Sequence, residues 1–364
     1  MTVQDIISEL ETVAPLAYQE SYDNAGLLVG NRTDVVEKVL ITLDVTEAVV
    51  HEAIECGASL IVSHHPLIFR PLKSINSATE TGRCIMLALQ NNIAIYACHT
   101  NIDSVANGVN AMICDKIGLQ NKKILSPRAN CLTKLVTYAP KQHAETVLEA
   151  LFSAGAGCIG NYDKCSFSSD GVGTFRANED AHPFVGEKNE LHHENETRIE
   201  VVFPNEKTSD VVANLLQNHP YEEVAYDLFP IKNTFSLVGD GMIGDLPTPE
   251  KTTNFLKKIK ETFGCGVIRH TNSIKESISK VAVCGGSGSF LIHDAIRSKA
   301  DIFITADVKY HDFFNAENKI ILADIGHYES EQFTKELFYE LLKKKFYNFA
   351  IQISKVNTNP INYI

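Results

Sequence analysis

Three stretches of the chain place imidazoles and carboxylates directly behind apolar runs. Ser63-His64-His65-Pro66 follows Ala58-Ser59-Leu60-Ile61-Val62, His99-Thr100-Asn101-Ile102-Asp103 follows Ile93–Cys98, and His327-Tyr328-Glu329-Ser330-Glu331 follows a run ending Asp324-Ile325-Gly326. Neutral imidazole is the commonest side-chain metal ligand. Neighbouring residues on an extended backbone point to opposite faces, so His64 and His65 suit two ions, or an ion and a substrate, better than one ion gripped from one side. His327 and Glu331 are four apart and share a face at a helix start, where they could hold one ion or bridge two. The plain alternative is a surface His–Glu pair at a helix N-terminus, where acidic residues are favoured anyway. Together His64, His65, Asp103, His327 and Glu331 supply three imidazoles and two carboxylates. That set is too large for one tetrahedral zinc and lacks the thiolates of structural zinc. It suits two divalent cations about 3.5–4 Å apart, with Glu331 bridging. Zn, Mn, Fe, Co and Ni all accept such donors, so the metal stays open. His99 reads as a group that orients a ligand or as a general base.

Several elements must position these groups. Residues 3–13 pattern as an amphipathic helix, and Asp23-Asn24-Ala25-Gly26 as a tight turn into a strand. Lys38–Asp44 reads as a strand, Thr46 as the cap of a helix ending at Gly57, and 58–62 as a buried strand. A second helix, about 78–91, leads to a strand at 93–98. The chain then repeats itself. From Lys38 and Lys280 onward two segments run together without gaps: Val39-Leu40-Ile41 faces Val281-Ala282-Val283, and His51-Glu52-Ala53-Ile54 faces His293-Asp294-Ala295-Ile296. In the same frame the strand 58–62 faces 300–304, and His65 falls opposite Asp307. The fold class is therefore α/β: two related α/β halves with mixed sheets, residues 1–126 and 233–364, form one domain. Residues 127–232 belong to neither half. Their order of strand, helix, two strands, helix and strand is that of a ferredoxin-like α+β domain inserted between them.

Composition narrows the function classes. Among 364 residues, 44% are hydrophobic and 21% charged, an ordinary globular balance, and the net charge of −12 argues against a nucleic-acid partner. No run is long and apolar enough for a membrane partner, and the start of the chain lacks a basic and apolar export signal. The nine cysteines are scattered without a Cys-x-x-Cys pair, which reads as reduced thiols in a cytoplasmic protein.

The His64-His65-Pro66, His99–Asp103 and Gly326–Glu331 motifs, with Asp23–Leu28 upstream, resemble those of the NGG-interacting-factor-three-like family. Bacterial members are described as GTP cyclohydrolase 1 type 2 homologues. Gly155–Tyr162 and His219-Pro220-Tyr221-Glu222-Glu223 resemble the PII/CutA-like domain inserted in longer members. The resemblance implies that His64 and Asp103 hold one metal, His65 and His327 the other, and that Glu331 bridges. It also implies a toroidal homohexamer and a nucleotide, or another phosphorylated small molecule, as the partner. Tyr22 stands where many relatives carry Trp. Two functional readings remain open at this point. One is a metal-dependent hydrolase with His99 and Glu331 handling protons. The other is a non-catalytic metal-binding ring whose insert senses a ligand or binds a partner. Three further stretches carry weaker signals: Cys284–Ser289 as a tight turn or a phosphate cradle, Asp307, Lys309 and His311 as substrate contacts, and His192-His193-Glu194 as a solvated loop.

Overall fold

The first helix, α1 (Val3–Val13), begins with a reciprocal cap. The Thr2 hydroxyl accepts from the Asp5 amide at 3.3 Å, and the Asp5 carboxylate accepts from the Thr2 amide at 2.7 Å. β1 (Gly26–Val29), β2 (Lys38–Thr42), α2 (Glu47–Cys56), β3 (Leu60–Ser63), α3 (Glu80–Gln90) and β4 (Ala94–Ala97) follow. Thr46 caps α2 through the Val49 amide, and Gly57 ends it at φ 71°, a left-handed conformation that suits glycine. α4 (Thr100–Asp103), α5 (Val109–Ile117) and β5 (Gln120–Ala129) complete this half. The computed structural model describes all 364 residues. It divides into two units, Met1–Pro127 with Leu237–Ile364, and Arg128–Ser236.

The second unit contains β6 (Leu132–Pro140), α6 (Ala144–Ser153), β7 (Ser166–Arg176), β8 (Leu191–Pro204), α7 (Thr208–Asn218) and β9 (Tyr226–Ile231). Its four strands lie in the order β7-β8-β6-β9, every neighbouring pair antiparallel. Leu135, Ile199, Val201 and Phe203 from the sheet close a core against Val147, Leu151, Val211 and Leu215 from the helices. His192-His193-Glu194 correct the sequence reading here, because they lie inside β8 and not in a loop. His192 faces Phe175 and His193 faces Thr174 on β7. The partner strand supplies the ladder, and its Ser- and Gly-rich sequence carries no apolar alternation to announce it.

The chain returns through β10 (Thr234–Lys251), α8 (Thr252–Thr262), β11 (Arg269–His270), β12 (Ser277–Ser287), α9 (Ile292–Arg297), β13 (Ile302–Ala306), β14 (Ile321–Asp324), α10 (His327–Glu331), α11 (Thr334–Lys345) and β15 (Ala350–Ile353). The first unit thus holds two sheets, β1-β4-β3-β2-β15 and β11-β14-β13-β12-β10-β5. Each contains three consecutive parallel strands, β4-β3-β2 and β14-β13-β12, with an antiparallel strand on one side, β1 on β4 and β11 on β14, and β15 adds a fourth parallel strand beside β2. Even the register repeats: Val39 pairs Leu60 and Ile41 pairs Val62, while Val281 pairs Ile302 and Val283 pairs Ile304. Ala53 and Ala295 are fully buried in the matching helices. His51 and His293 are exposed in both, so the shared His-acid-Ala-Ile run packs helices and makes no site. β15 crosses from the second half to join β2, tying the halves together.

Candidate metal centre

All three histidine-bearing strand ends meet at the carboxyl edge of the parallel strands, where open α/β sheets place ligands. His64 and His65 continue beyond β3, their amides donating to the Thr42 and Leu43 carbonyls of the neighbouring strand. His99 and Asp103 bracket the short α4 beyond β4. His327 and Glu331 open and close α10 beyond β14. The predicted helix after His327 is in two pieces, α10 and α11.

The nitrogens and oxygens of these residues converge. Glu331 Oε2 lies 3.0 Å from His65 Nε2, 3.0 Å from His327 Nε2 and 3.7 Å from His64 Nε2. His65 and His327 bring their Nε2 atoms to 3.3 Å. Asp103 Oδ1 stands 3.7 Å from His64 Nε2. Three groups could hold a metal: His64 with Asp103 and Glu331, His65 with His327 and Glu331, and His64 with His65 and His99.

Each ring is held from behind. Asp44 Oδ1 meets His65 Nδ1 at 2.7 Å, Asp307 Oδ2 meets His327 Nδ1 at 2.7 Å, and Asp23 Oδ1 meets His99 Nδ1 at 2.8 Å. The Cys98 carbonyl meets His64 Nδ1 at 3.0 Å. These acceptors keep a proton on Nδ1 and aim each Nε2 inward, the outer arrangement of metal-bound histidine. Sequence reasoning did not single out Asp44 and assigned Asp307 to substrate. Lys309 and His311 do not join Asp307: Lys309 heads the turn at Tyr310–Ala316, and His311 packs against Tyr310 and Phe314.

The protonation pattern follows from these partners. Burial pushes the His64 imidazole down to about 4. Burial also opposes charge on His65, but Asp44 and Glu331 raise it to about 9. His327 is likewise desolvated, and Asp307 and Glu331 raise it to about 11. Burial, reinforced by the Glu331 carboxylate, pushes the Asp103 carboxyl well up. Glu331 is buried too, yet the imidazoles around it hold its carboxyl well below the ordinary range. Divalent cations at this centre would displace the protons on His65 and His327.

The donor set fits a metal. His64 Nε2 and Asp103 Oδ1 are buried with no hydrogen-bond partner, a costly state for polar atoms that coordination would relieve. Gly286 makes room for the central carboxylate: it adopts φ 57°, and a Cβ there would lie 2.4 Å from Glu331 Oε1. The surrounding loop is committed to structure. The Gly285 amide donates to Asn110 Oδ1 and the Gly286 amide to the Ser330 hydroxyl, both at 3.0 Å, so neither is free to cradle phosphate.

Beside the cluster lies a cavity of about 430 Å³, with His99, Asp103, His327 and Glu331 among its walls and the exposed rings of Tyr22 and Phe290 at its edge. No lysine or arginine lines it. Fold and site together define a two-halved α/β protein with a His–carboxylate cluster shared between the halves. The chain matches the family described as Duf34/NIF3 (NGG1p interacting factor 3) over residues 1–360, and it belongs to that family. It is 40% identical to a Halalkalibacterium halodurans protein named GTP cyclohydrolase 1 type 2 homolog, with 99% of this chain and 98% of the relative covered. A Bacillus subtilis protein of the same name is 38% identical, with the same coverage of 99% and 98%. The crystal structure of a Bacillus cereus protein related to NIF3 superposes with a TM-score of 0.86 at 37% identity, covering 100% of this chain and 99% of the other. No helix is long and apolar enough to cross a membrane.

Proposed function

We propose that this protein is a dinuclear-metal-dependent hydrolase acting on a nucleotide, with a reaction of the GTP cyclohydrolase kind. The observation that carries the reading is the buried, unpartnered His64 Nε2 facing Asp103 and Glu331 at 3.7 Å each, next to the His65–His327–Glu331 triangle. His64 and Asp103 would hold one cation and His65 and His327 the other, with Glu331 belonging to both groups. When bound, the cations polarise a phosphoryl or purine-ring centre and make water acidic enough to ionise near neutral pH.

The chain's own residues do the rest. Asp23 is held down to about 2 because the His99 and Thr100 bonds outweigh its burial. It fixes the His99 tautomer, leaving Nε2 as a proton acceptor with its ring centroid 5.2 Å from that of His64 and 5.4 Å from that of His65. Glu331 directs Oε2 to the histidines, so proton transfer falls first to His99. Tyr22 and Phe290 offer flat apolar surface to a purine. With Glu20, Asp103, Asp240 and Glu331 lining a cavity that lacks basic side chains, a phosphate chain must be neutralised by the cations. Metal-free protein should therefore not bind nucleotides.

The strand order β7-β8-β6-β9 supports reading the second unit as a ferredoxin-like, PII/CutA-like insert. The assembly would be a homohexamer, checked by sedimentation against a subunit mass of 40.2 kDa. The deciding experiment is nucleotide turnover by anaerobically metal-reconstituted protein beside Glu331→Gln and His99→Gln, with metal quantified on all three. Turnover lost in both variants, with metal lost only in Glu331→Gln, supports the reading. Stoichiometric metal without turnover of any nucleotide favours the non-catalytic ring.

A further inference from the structure

The second unit has a cavity of its own, about 630 Å³, between β7, β8, the 177–184 segment and the Tyr221–Ala225 turn. The size suits a small organic ligand. Its chemistry is unlike that of the metal centre. Phe175 and Phe184 stand around Tyr221 with ring centroids 6.2 Å and 6.3 Å from it, and Tyr138 adds a further aromatic wall. Against these rings lies the Glu196 carboxylate, which accepts the Tyr221 hydroxyl at 2.8 Å.

Charge in the lining is unbalanced. Arg198 is the one basic residue there, and Glu200 engages it at 2.7 Å. Asp170 is answered by Lys141 at 2.6 Å. Glu196 meets only the neutral phenol among the bonds around it, and Glu222 accepts the His182 amide at 2.7 Å. β7 is also bare where it passes beneath Glu196. A Cβ at Gly173 would fall 2.1 Å from Glu196 Oε2, so the glycine keeps that carboxylate in place. Aromatic faces with a carboxylate between them attract a cation that carries an apolar body, through the ring quadrupoles and the unneutralised charge.

We infer that this cavity is a binding site for an organic ammonium ion with an aromatic or aliphatic body, held by Glu196 and by the Tyr221, Phe175 and Phe184 rings. Binding there is independent of the metal centre.

Isothermal titration calorimetry on the full chain tests it, with phenethylammonium and benzyltrimethylammonium as probes and phenethyl alcohol and 3-phenylpropionate as neutral and anionic controls. Both cations should bind at least tenfold more tightly than the alcohol, and the anion should give no heat. Glu196→Gln, which keeps an acceptor for Tyr221, should lose at least tenfold in cation affinity. Gly173→Ala should lose a similar factor by displacing the carboxylate, and Phe184→Leu about fivefold, with unfolding midpoints confirming that each variant is folded. Glu331→Gln should leave cation binding unchanged. Absence of binding by either cation, equal binding of the alcohol, full cation affinity in folded Glu196→Gln, or loss in Glu331→Gln would overturn the proposal.

Discussion

The two halves of the first unit share strand order, pairing register and helix burial, yet they divide the chemistry unequally. Where the first parallel strand ends, one half carries Asp44 and the other, at the matching position, Gly286. Asp44 holds His65, whereas Gly286 supplies empty space that the Glu331 carboxylate fills. Where the second strand ends, His65 stands in one half and Asp307 in the other. So the first half makes its His–Asp pair with the histidine on the second strand and the carboxylate on the first. The second half keeps its carboxylate on the second strand and takes its histidine from the third. A duplicated scaffold fixes where strand ends lie and leaves each half free to choose which end bears the ligand. One cluster results because the choices interlock, with Glu331 of the second half reaching His64 and His65 of the first.

Glu331→Gln should break this interlock most completely. It removes the only charge common to all three imidazoles, and metal affinity should fall by more than about 100-fold, beyond what orienting groups command. Equilibrium dialysis against a competing chelator would measure it, and near-normal affinity would mean that Glu331 does not join the two ends. The paired variants Asp44→Asn and Asp307→Asn then sharpen the contrast between halves. Each leaves a ring without its carboxylate, at an expected cost of about 10- to 100-fold in metal affinity. Asp44 should stand at the upper end, because it is more buried than Asp307 and its second oxygen is engaged by Thr358. Equal losses would imply that the halves hold their histidines equally firmly.

Gly286→Ala probes the position where the halves differ most. A methyl at φ 57°, 2.4 Å from Glu331 Oε1, should lower stability by about 2 kcal/mol and displace the carboxylate. Denaturant unfolding would read the first effect and metal content the second. An alanine that costs neither would show that the empty space is incidental.

Much of this layout could be read from the sequence because candidate ligands and strands lie next to each other along the chain. His64, His65, Asp103, His327 and Glu331 each sit within a few residues of a buried strand, and the gap-free repeat places the strands themselves. The groups that turn the rings are another matter. Asp23, Asp44 and Asp307 meet His99, His65 and His327 from other strand ends, and only sheet order decides which strands are neighbours. Asp307 was legible as a site residue through its place opposite His65, but its partner was not. Asp44 closes an ordinary-looking strand and gave no local signal. The same limit hid the bounds of β7 and the strand character of His192, since polar strands are defined by their partners more than by their own pattern.

The smallest expected effect lies at the opposite edge of the sheets. There the Ser59 hydroxyl accepts from the Glu37 amide at 2.9 Å, and its counterpart Asp301 accepts from the Ser279 and Lys280 amides at 2.8 and 2.9 Å. The carboxylate does the hydroxyl's work twice over and also pairs with Lys275. Although burial opposes it, these partners hold the Asp301 carboxyl below its ordinary value. A depressed carboxyl contributes stability above its unfolded pKa and loses it as pH falls through the folded value. Asp301→Ser, which gives the second half the first half's residue, should therefore cost about 1 kcal/mol at neutral pH. The deficit should close as the pH drops below about 4, the ordinary aspartate range. Urea unfolding of both proteins across that range would follow it. A deficit that does not change with pH would mean that Asp301 acts by shape, as Ser59 does, and that its charge is idle.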